Sequence, residues 1–373
     1  MKKTLVAAAV VAALATSAFA EITFGAWLRV LAAPVASNGD DTVVAMTNSW
    51  GYGARTARLN VNAVSEDGNA GFAMGIYNDA SMSLTAGDEA QMWVKPVEQV
   101  KVSVGKYDNN TLRGDLCYGS WNWMRCAQNT TGEGFIMSGN GETGLMVEVT
   151  PIDALYIQAM LPIAPNGSGD AVQLAEDAYK EARGGFAYTI DGIGKLKAQY
   201  IGNGDDKTVE AEFDLTAVDG LYVCAGVVAN IWDDAKADSK TTKIAAGASY
   251  QINDALKVSA SGEYQMYDDV DADIVVGAGV DYALADGLNA VADVRALIPT
   301  EDRDDNTGDP TVSFMVGIQK NVSSNGYIGV AFQGVTNGGS FSNDAVDGTL
   351  PAGCSPGGRR QSQDRRGRDQ TRR

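Results

Sequence analysis

The sequence predicts an all-β chain, a transmembrane antiparallel up-and-down β-barrel of about 16–18 strands, with short turns at the periplasmic rim and long outer loops. Three observations predict it. An acidic or amide turn recurs between segments that alternate apolar and polar residues. The clearest are Pro151-Ile152-Asp153-Ala154-Leu155, Ala217-Val218-Asp219-Gly220-Leu221, Ile252-Asn253-Asp254-Ala255-Leu256 and Leu284-Ala285-Asp286-Gly287-Leu288. Looser copies are Pro96-Val97-Glu98-Gln99-Val100 and Thr189-Ile190-Asp191-Gly192-Ile193. Second, the polar faces carry charge along nearly every strand, and no covering layer is evident, as expected where that face lines water and the apolar face meets lipid. Third, several segments approach the length of about ten residues that a tilted strand needs to cross a bilayer.

The elements follow in chain order. Met1-Lys2-Lys3-Thr4, an apolar stretch from Leu5 to Ala15, and Ser17-Ala18-Phe19-Ala20 are the parts of a secretory signal peptide. The apolar run is too short to span a bilayer as a helix. Cleavage after Ala20 sets residues 1–20 apart as the signal and starts the mature chain at Glu21. The barrel domain is expected over residues 21–340. Glu21 to Val30 reads as the opening strand, with Ile22, Phe24, Ala26 and Leu28 on one face.

Later strands divide the same way. Ala57, Leu59, Val61 and Ala63 oppose Arg58, Asn60 and Asn62; Val100, Val102 and Val104 oppose Lys101 and Ser103. Leu155, Ile157, Ala159 and Leu161 oppose Tyr156 and Gln158. Leu196 and Ala198 oppose Lys195 and Lys197, and Val209, Ala211 and Phe213 oppose Glu210, Glu212 and Asp214. Leu256, Val258 and Ala260 oppose Lys257 and Glu263; Leu288, Ala290, Ala292 and Val294 oppose Asp293 and Arg295. Tight turns are expected near Asp67-Gly68, Glu98, Asp153, Asp191, Asp219, Asp254, Asp286 and Asn325-Gly326. Tyr188, Tyr250 and Tyr282 precede such turns by a few residues and are placed in an aromatic girdle at the inner membrane boundary, ordinary strand propensity being the alternative.

Charge narrows the function classes. The formal net charge is −18, although residues 359–373 hold seven Arg and two Asp, which leaves the remainder at −23. So acidic a body does not bind nucleic acid through phosphates. Asp40-Asp41, Asp205-Asp206, Asp233-Asp234, Asp268-Asp269 with Asp271 and Asp273, and Glu301 to Asp305 read as solvated loop surface. Asp302, Asp304 and Asn306 are spaced like the start of a calcium loop, but the glycine comes late, at Gly308, and the closing Glu is missing. There is no His, which removes the usual base of a barrel hydrolase and a common metal ligand. No cofactor or enzymatic activity is expected. Cys117 and Cys126 share one predicted loop and are able to pair in an oxidising envelope; Cys224 sits inside a strand as a packing residue.

The signal peptide, the opening Glu21-Ile22-Thr23-Phe24-Gly25-Ala26-Trp27 and the hairpin repeat resemble a bacterial outer-membrane porin. Met92-Trp93-Val94-Lys95-Pro96, Val102-Ser103-Val104-Gly105-Lys106-Tyr107 and Asn109-Asn110-Thr111-Leu112-Arg113-Gly114 look like the porin-type proteins of spirochaetes such as treponemes. The likeness runs from Met1 to about Gly339 and is architectural, with no catalytic signature. It breaks at residues 341–373, where Pro351-Ala352-Gly353-Cys354 and the Arg-rich run stand in place of a closing aromatic strand. That segment is expected to be a shifted reading frame or truncated end; a basic periplasmic tail is the alternative.

The resemblance implies a location in the outer membrane of a diderm bacterium and passive diffusion of ions and small hydrophilic solutes through a water-filled lumen. It also implies lipid contact and allows a homo-oligomer. The lumen-facing charges would be Arg58, Lys95, Lys101, Lys195, Lys197, Glu210, Glu212, Asp214, Lys257, Glu263, Asp293 and Arg295. In general porins the third outer loop narrows the channel. Here the first predicted outer loop covers about residues 31–54 and the second about 78–88, and the third and longest, residues 108–143, carries Arg113, Asp115, Arg125 and Glu133, with Cys117 and Cys126 able to pin it. An exposed surface loop is the alternative for that segment. For the whole chain the alternative is a surface adhesin or structural envelope barrel.

Overall fold

A computed structural model describes residues 19–28, 31–37, 42–48, 51–52, 57–78, 84–114, 136–163, 175–231, 240–268, 272–300 and 310–336. Seventeen strands form one sheet and three short strands form another. The wall starts with β1 (Phe19–Leu28). Between it and the next wall strand, β2 (Leu31–Ser37), β3 (Thr42–Asn48) and β4 (Gly51–Tyr52) make the small sheet. The wall resumes with β5 (Ala57–Ser65), β6 (Ala70–Asn78), β7 (Leu84–Val97), β8 (Val100–Lys106), β9 (Thr143–Ile152) and β10 (Leu155–Pro162). After a six-residue helix α1 (Ala175–Lys180) come β11 (Arg183–Ile190), β12 (Gly194–Asn203), β13 (Asp206–Val218) and β14 (Leu221–Ile231). The last strands are β15 (Lys240–Asn253), β16 (Leu256–Tyr267), β17 (Asp273–Ala285), β18 (Leu288–Pro299), β19 (Thr311–Ser323) and β20 (Gly326–Val335).

The connectivity is a meander. β1 pairs antiparallel with β5, and from β5 each strand pairs antiparallel with its successor as far as β20. The fold is the expected up-and-down β-barrel architecture. An odd number of alternating strands makes β1 and β20 run the same way, so antiparallel closure between them takes one further descending strand. Among the described residues the registers end at β20.

All eight expected turns join consecutive strands at one rim, at residues 66–69, 98–99, 153–154, 191–193, 219–220, 254–255, 286–287 and 324–325. In Asp219-Gly220 and Asp286-Gly287 the glycine φ is 74° and 64°, a left-handed conformation that a hairpin turn requires and a side chain resists. Three boundaries differ from expectation. β7 begins at Leu84, so the second outer loop is shorter than residues 78–88, and β1 begins two residues before Glu21. β12 and β13 join through Gly204 and Asp205, a tight turn on the long-loop rim, where a solvated acidic loop was expected. Asp273, expected in such a loop, instead opens β17 and is buried, accepting the Tyr267 hydroxyl at 2.9 Å. The small sheet and α1 were also unforeseen; short elements in loops lack the repeated period that reveals a wall strand.

Burial runs opposite to that of a soluble domain. Glu210, Glu212 and Arg295 are each 1% exposed, whereas Leu59 is 41%, Ile244 52% and Val316 56% exposed. Alternate residues of each strand point to opposite faces, so the charged set turns inward and the aliphatic set outward. Leu155, Leu221 and Leu256 pair with Tyr188, Tyr250 and Tyr282, all three tyrosines being exposed on the outer face near the turn rim. That is the level at which an aromatic girdle meets the membrane boundary.

Candidate functional site: the lumen wall and the third outer loop

β8 and β9 are joined by the longest connection between wall strands, and both of its stems fold against the inner wall. The stems hold each other by backbone bonds: Tyr107 N donates to Glu142 O at 2.9 Å, Asn140 N to Asn109 O at 2.8 Å and Gly114 N to Met137 O at 3.1 Å. Polar wall residues then grip the stems. Ser138 N donates to Glu210 Oε2 at 2.9 Å, Gln199 Nε2 to Ser138 O at 2.8 Å and also to Glu210 Oε2, and Lys197 Nζ to Arg113 O at 3.4 Å. Arg58 reaches Asp108 at 3.3 Å from one side, and Arg183 reaches Glu142 at 3.1 Å from the other.

Apolar contacts complete the seat. Leu112, Ile136 and Met137 are fully buried although they belong to a loop. A Cβ on Gly185 of β11 would lie 2.6 Å from Leu112 Cδ1, and one on Gly226 of β14 would lie 2.6 Å from Ile136 Cγ2. Gly114 lies so close to the Glu212 carboxylate that a side chain there would collide with it. Ile136 and Met137 pack with Cys224 and Ala245, small residues on the inner face of β14 and β15. Cys224 is therefore a packing residue, as its position within a strand implied.

This settles the sense of the wall. The face that receives the loop stems encloses charge, while the opposite face exposes aliphatic side chains, the arrangement of a membrane barrel. The chain is an antiparallel up-and-down β-barrel with its charged face turned inward.

Every charged residue assigned to the lumen lies on the inward register of its strand. Lys195 pairs with Asp214, Lys197 with Glu212, and Gln199 with Glu210. Lys197 sits 3.2 Å from Glu212 and 2.9 Å from Asp214, and Tyr222 donates to Asp214 at 2.8 Å. Lys197 thus bridges two of the three carboxylates of β13, Glu210 is held by Gln199 and Ser138 instead, and Lys195 and the buried Lys243 share the same inner face. Arg295 donates to Asp293 at 3.1 Å, and Gln265 donates to Glu263 at 2.7 Å. Arg58 bridges Glu89 at 2.8 Å and accepts the Tyr77 ring beneath its guanidinium at 5.1 Å. Lys95 and Lys101 each place their ammonium group over the ring of Trp93 in β7, and Lys257 is exposed at the turn rim. The β5–β8 sector is basic.

Of the residues assigned to the third loop, Arg113 lies in the docked stem. Asp115, Arg125, Glu133, Cys117 and Cys126 lie outside the described residues, as do the candidate calcium segment and residues 337–373. Among the described residues no cluster of acidic, Cys or His side chains is arranged to hold a metal. Sequence reading missed Leu112, Ile136, Met137 and Arg183 as parts of this seat. The signal that could have found their seat is the run of small residues, Gly185, Cys224, Gly226 and Ala245, on faces that are otherwise polar.

No protein-family model matches this chain, and no curated protein matches it. Among solved structures it is similar to a mutant of the Rh. blastica porin, with 18% identity and a TM-score of 0.48, over 84% of this chain and 100% of the other. It is also similar to OmpT lacking loop L8, an outer membrane protein of Vibrio cholerae, with 14% identity and a TM-score of 0.47, over 85% and 94% of the two chains. A porin refined at 1.8 Å aligns at 14% identity and a TM-score of 0.44, over 86% and 96%.

Proposed function

We propose that this barrel sits in the outer membrane and lets ions and small hydrophilic solutes diffuse passively through its lumen. The observation that carries the reading is the reversed burial: charge enclosed, aliphatic residues facing out, and the third outer loop fastened to the inner wall. In this reading the third loop is the constriction. Arg113, Asp115, Arg125 and Glu133 set its charge, and a Cys117–Cys126 disulfide holds its shape. Basic groups of β5–β8 face acidic groups of β12–β18 across the channel, so a polar solute passes between opposite charges without tight binding. The mechanism needs no cofactor and no covalent step.

Residues 1–20 act as the export signal, cleaved before Glu21. Residues 341–373 stand where a descending closing strand belongs, and the common direction of β1 and β20 supports that reading. The DNA downstream of Ser340, read in all frames, should encode an alternating strand ending on an aromatic residue. The likeness to spirochaete porins rests on residues 92–114. A homo-oligomer is in keeping with this class of barrel.

Purified protein in a planar bilayer should give stepwise, voltage-tolerant conductance. Refolded barrels that insert but pass no current would end the channel reading and leave an envelope or adhesin role, which the ordered β2–β4 sheet in the first outer loop favours.

A further inference from the structure

We infer that the inner wall near the turn rim holds an oxyanion subsite, built by Trp93, Lys95 and Lys101, at which small carboxylate or phosphate solutes pause. The inference rests on the wall lining a wet lumen. Trp93 pairs with Ser103 and Val94 with Val102, which brings Lys95 and Lys101 to the same stretch of inner wall. Their ammonium groups stand 5.5 Å and 5.9 Å from the centroid of the Trp93 ring. Two like charges on neighbouring strands repel, and the face of one indole offsets that only in part.

The surroundings leave the patch positive. Glu148 lies opposite Lys101 and pairs with it at 2.7 Å, but its other oxygen accepts the Tyr156 hydroxyl at 2.8 Å. Lys95 makes no ion pair among the described residues. Two lysines against one carboxylate leave a single positive charge beside an aromatic surface. An oxyanion bridging both ammonium groups removes their repulsion and accepts two charge-assisted hydrogen bonds. The ring cannot swing away to spoil the site on the β6 side. Its edge already fills the space above Gly71, where a Cβ would lie 2.6 Å from Trp93 Cε2. Tyr156 and Glu148 continue the polar chain to Gln158 and Asn109, so the subsite connects with the stem of the third loop.

The test uses the full chain refolded in detergent, with inorganic phosphate followed by phosphorus NMR line broadening. Wild type should broaden the signal. K95Q and K101Q should each weaken binding on the order of tenfold, and K320Q, an exposed lysine on the outward register at the same rim, should leave it unchanged. Acetate competing for the site shows that carboxylates share it; failure of acetate to compete restricts it to phosphate. In bilayers, phosphate added on the turn side should reduce the KCl current of wild type and not of K95Q. Broadening that is absent in a wild-type protein with native β-sheet dichroism, or equal in wild type and K95Q, overturns the subsite. Loss of conductance with intact phosphate binding counts against the channel alone.

Discussion

Replacing Lys197 by methionine tests the electrostatic seat of the third loop most directly. Lys197 is buried between Glu212 and Asp214, at 3.2 Å and 2.9 Å, and its Nζ also reaches Arg113 O in the loop stem. Methionine keeps the length of the side chain and removes the charge. Breaking a buried pair by deleting one partner costs about 3–5 kcal/mol where water is excluded. The inner wall of a wet barrel lets water reach the abandoned carboxylates, so a loss of about 2 kcal/mol is expected here, with the loop stem loosened first. The wall also becomes more negative by one charge beside the loop. In a KCl gradient the reversal potential should therefore move toward that of potassium, and single-channel noise should rise. Urea unfolding, read by gel migration of unheated samples, should show an earlier midpoint. K197R should restore selectivity. If K197M kept the wild-type reversal potential, noise and urea midpoint together, the assignment of this face to the lumen and of the stem to its wall would both fail.

Three further outcomes follow from the same contacts. Leu112→Ala empties a fully buried place above Gly185 and should cost about 2–5 kcal/mol of loop docking; conductance steps should become larger and noisier while the sheet dichroism stays constant. Asp67 caps the first rim turn by accepting from Ser65 Oγ at 2.6 Å, Asn69 N at 3.0 Å and Asn69 Nδ2 at 3.0 Å. These bonds, the Ser65 hydroxyl foremost, hold its carboxyl below the usual carboxylate range. A lowered folded pKa stabilises above the unfolded value and is lost as pH falls through the folded one. Amide exchange at Asn69 and Ala70 in Asp67→Asn should match wild type in acid and exceed it, after correction for intrinsic rates, at neutral pH. Lys180 of α1 meets Asp205 at 2.6 Å across the outer rim, and the bond between them raises the lysine and lowers the aspartate. Its contribution is present at neutral pH, lost below the depressed aspartate value and lost again above the raised lysine value. Both groups are well exposed, so salt should weaken it, and D205N should change the proteolysis rate of residues 175–182 only at low ionic strength.

The faces and the turns were legible in the chain itself. A pleat sends alternate side chains to opposite sides, so Leu59 against Arg58, or Phe213 against Glu212, declares its side without any partner being known. The Asp-Gly pairs at 219–220 and 286–287 reveal their turns because few other residues adopt the required backbone. Loop elements were not legible. The six residues of α1 and the few of β2–β4 are too short to display a period, and the tight Gly204–Asp205 turn differs from a solvated loop only in how closely its strands continue to pair.

The amino-acid order alone determined that this protein is a wall of alternating strands with charge on one face, because that property is local and repeats every second residue. Only the tertiary structure decided what the charged face holds. Ser138 meets Gln199 across 61 residues and Glu210 across 72, and Arg113 meets Lys197 across 84. Contacts at such separations depend on how the wall curves and where the loop turns inward. The small residues at the seat mark an open place on the wall, but which side chains fill it, Leu112 over Gly185 and Ile136 over Gly226, is decided only when the chain brings them together.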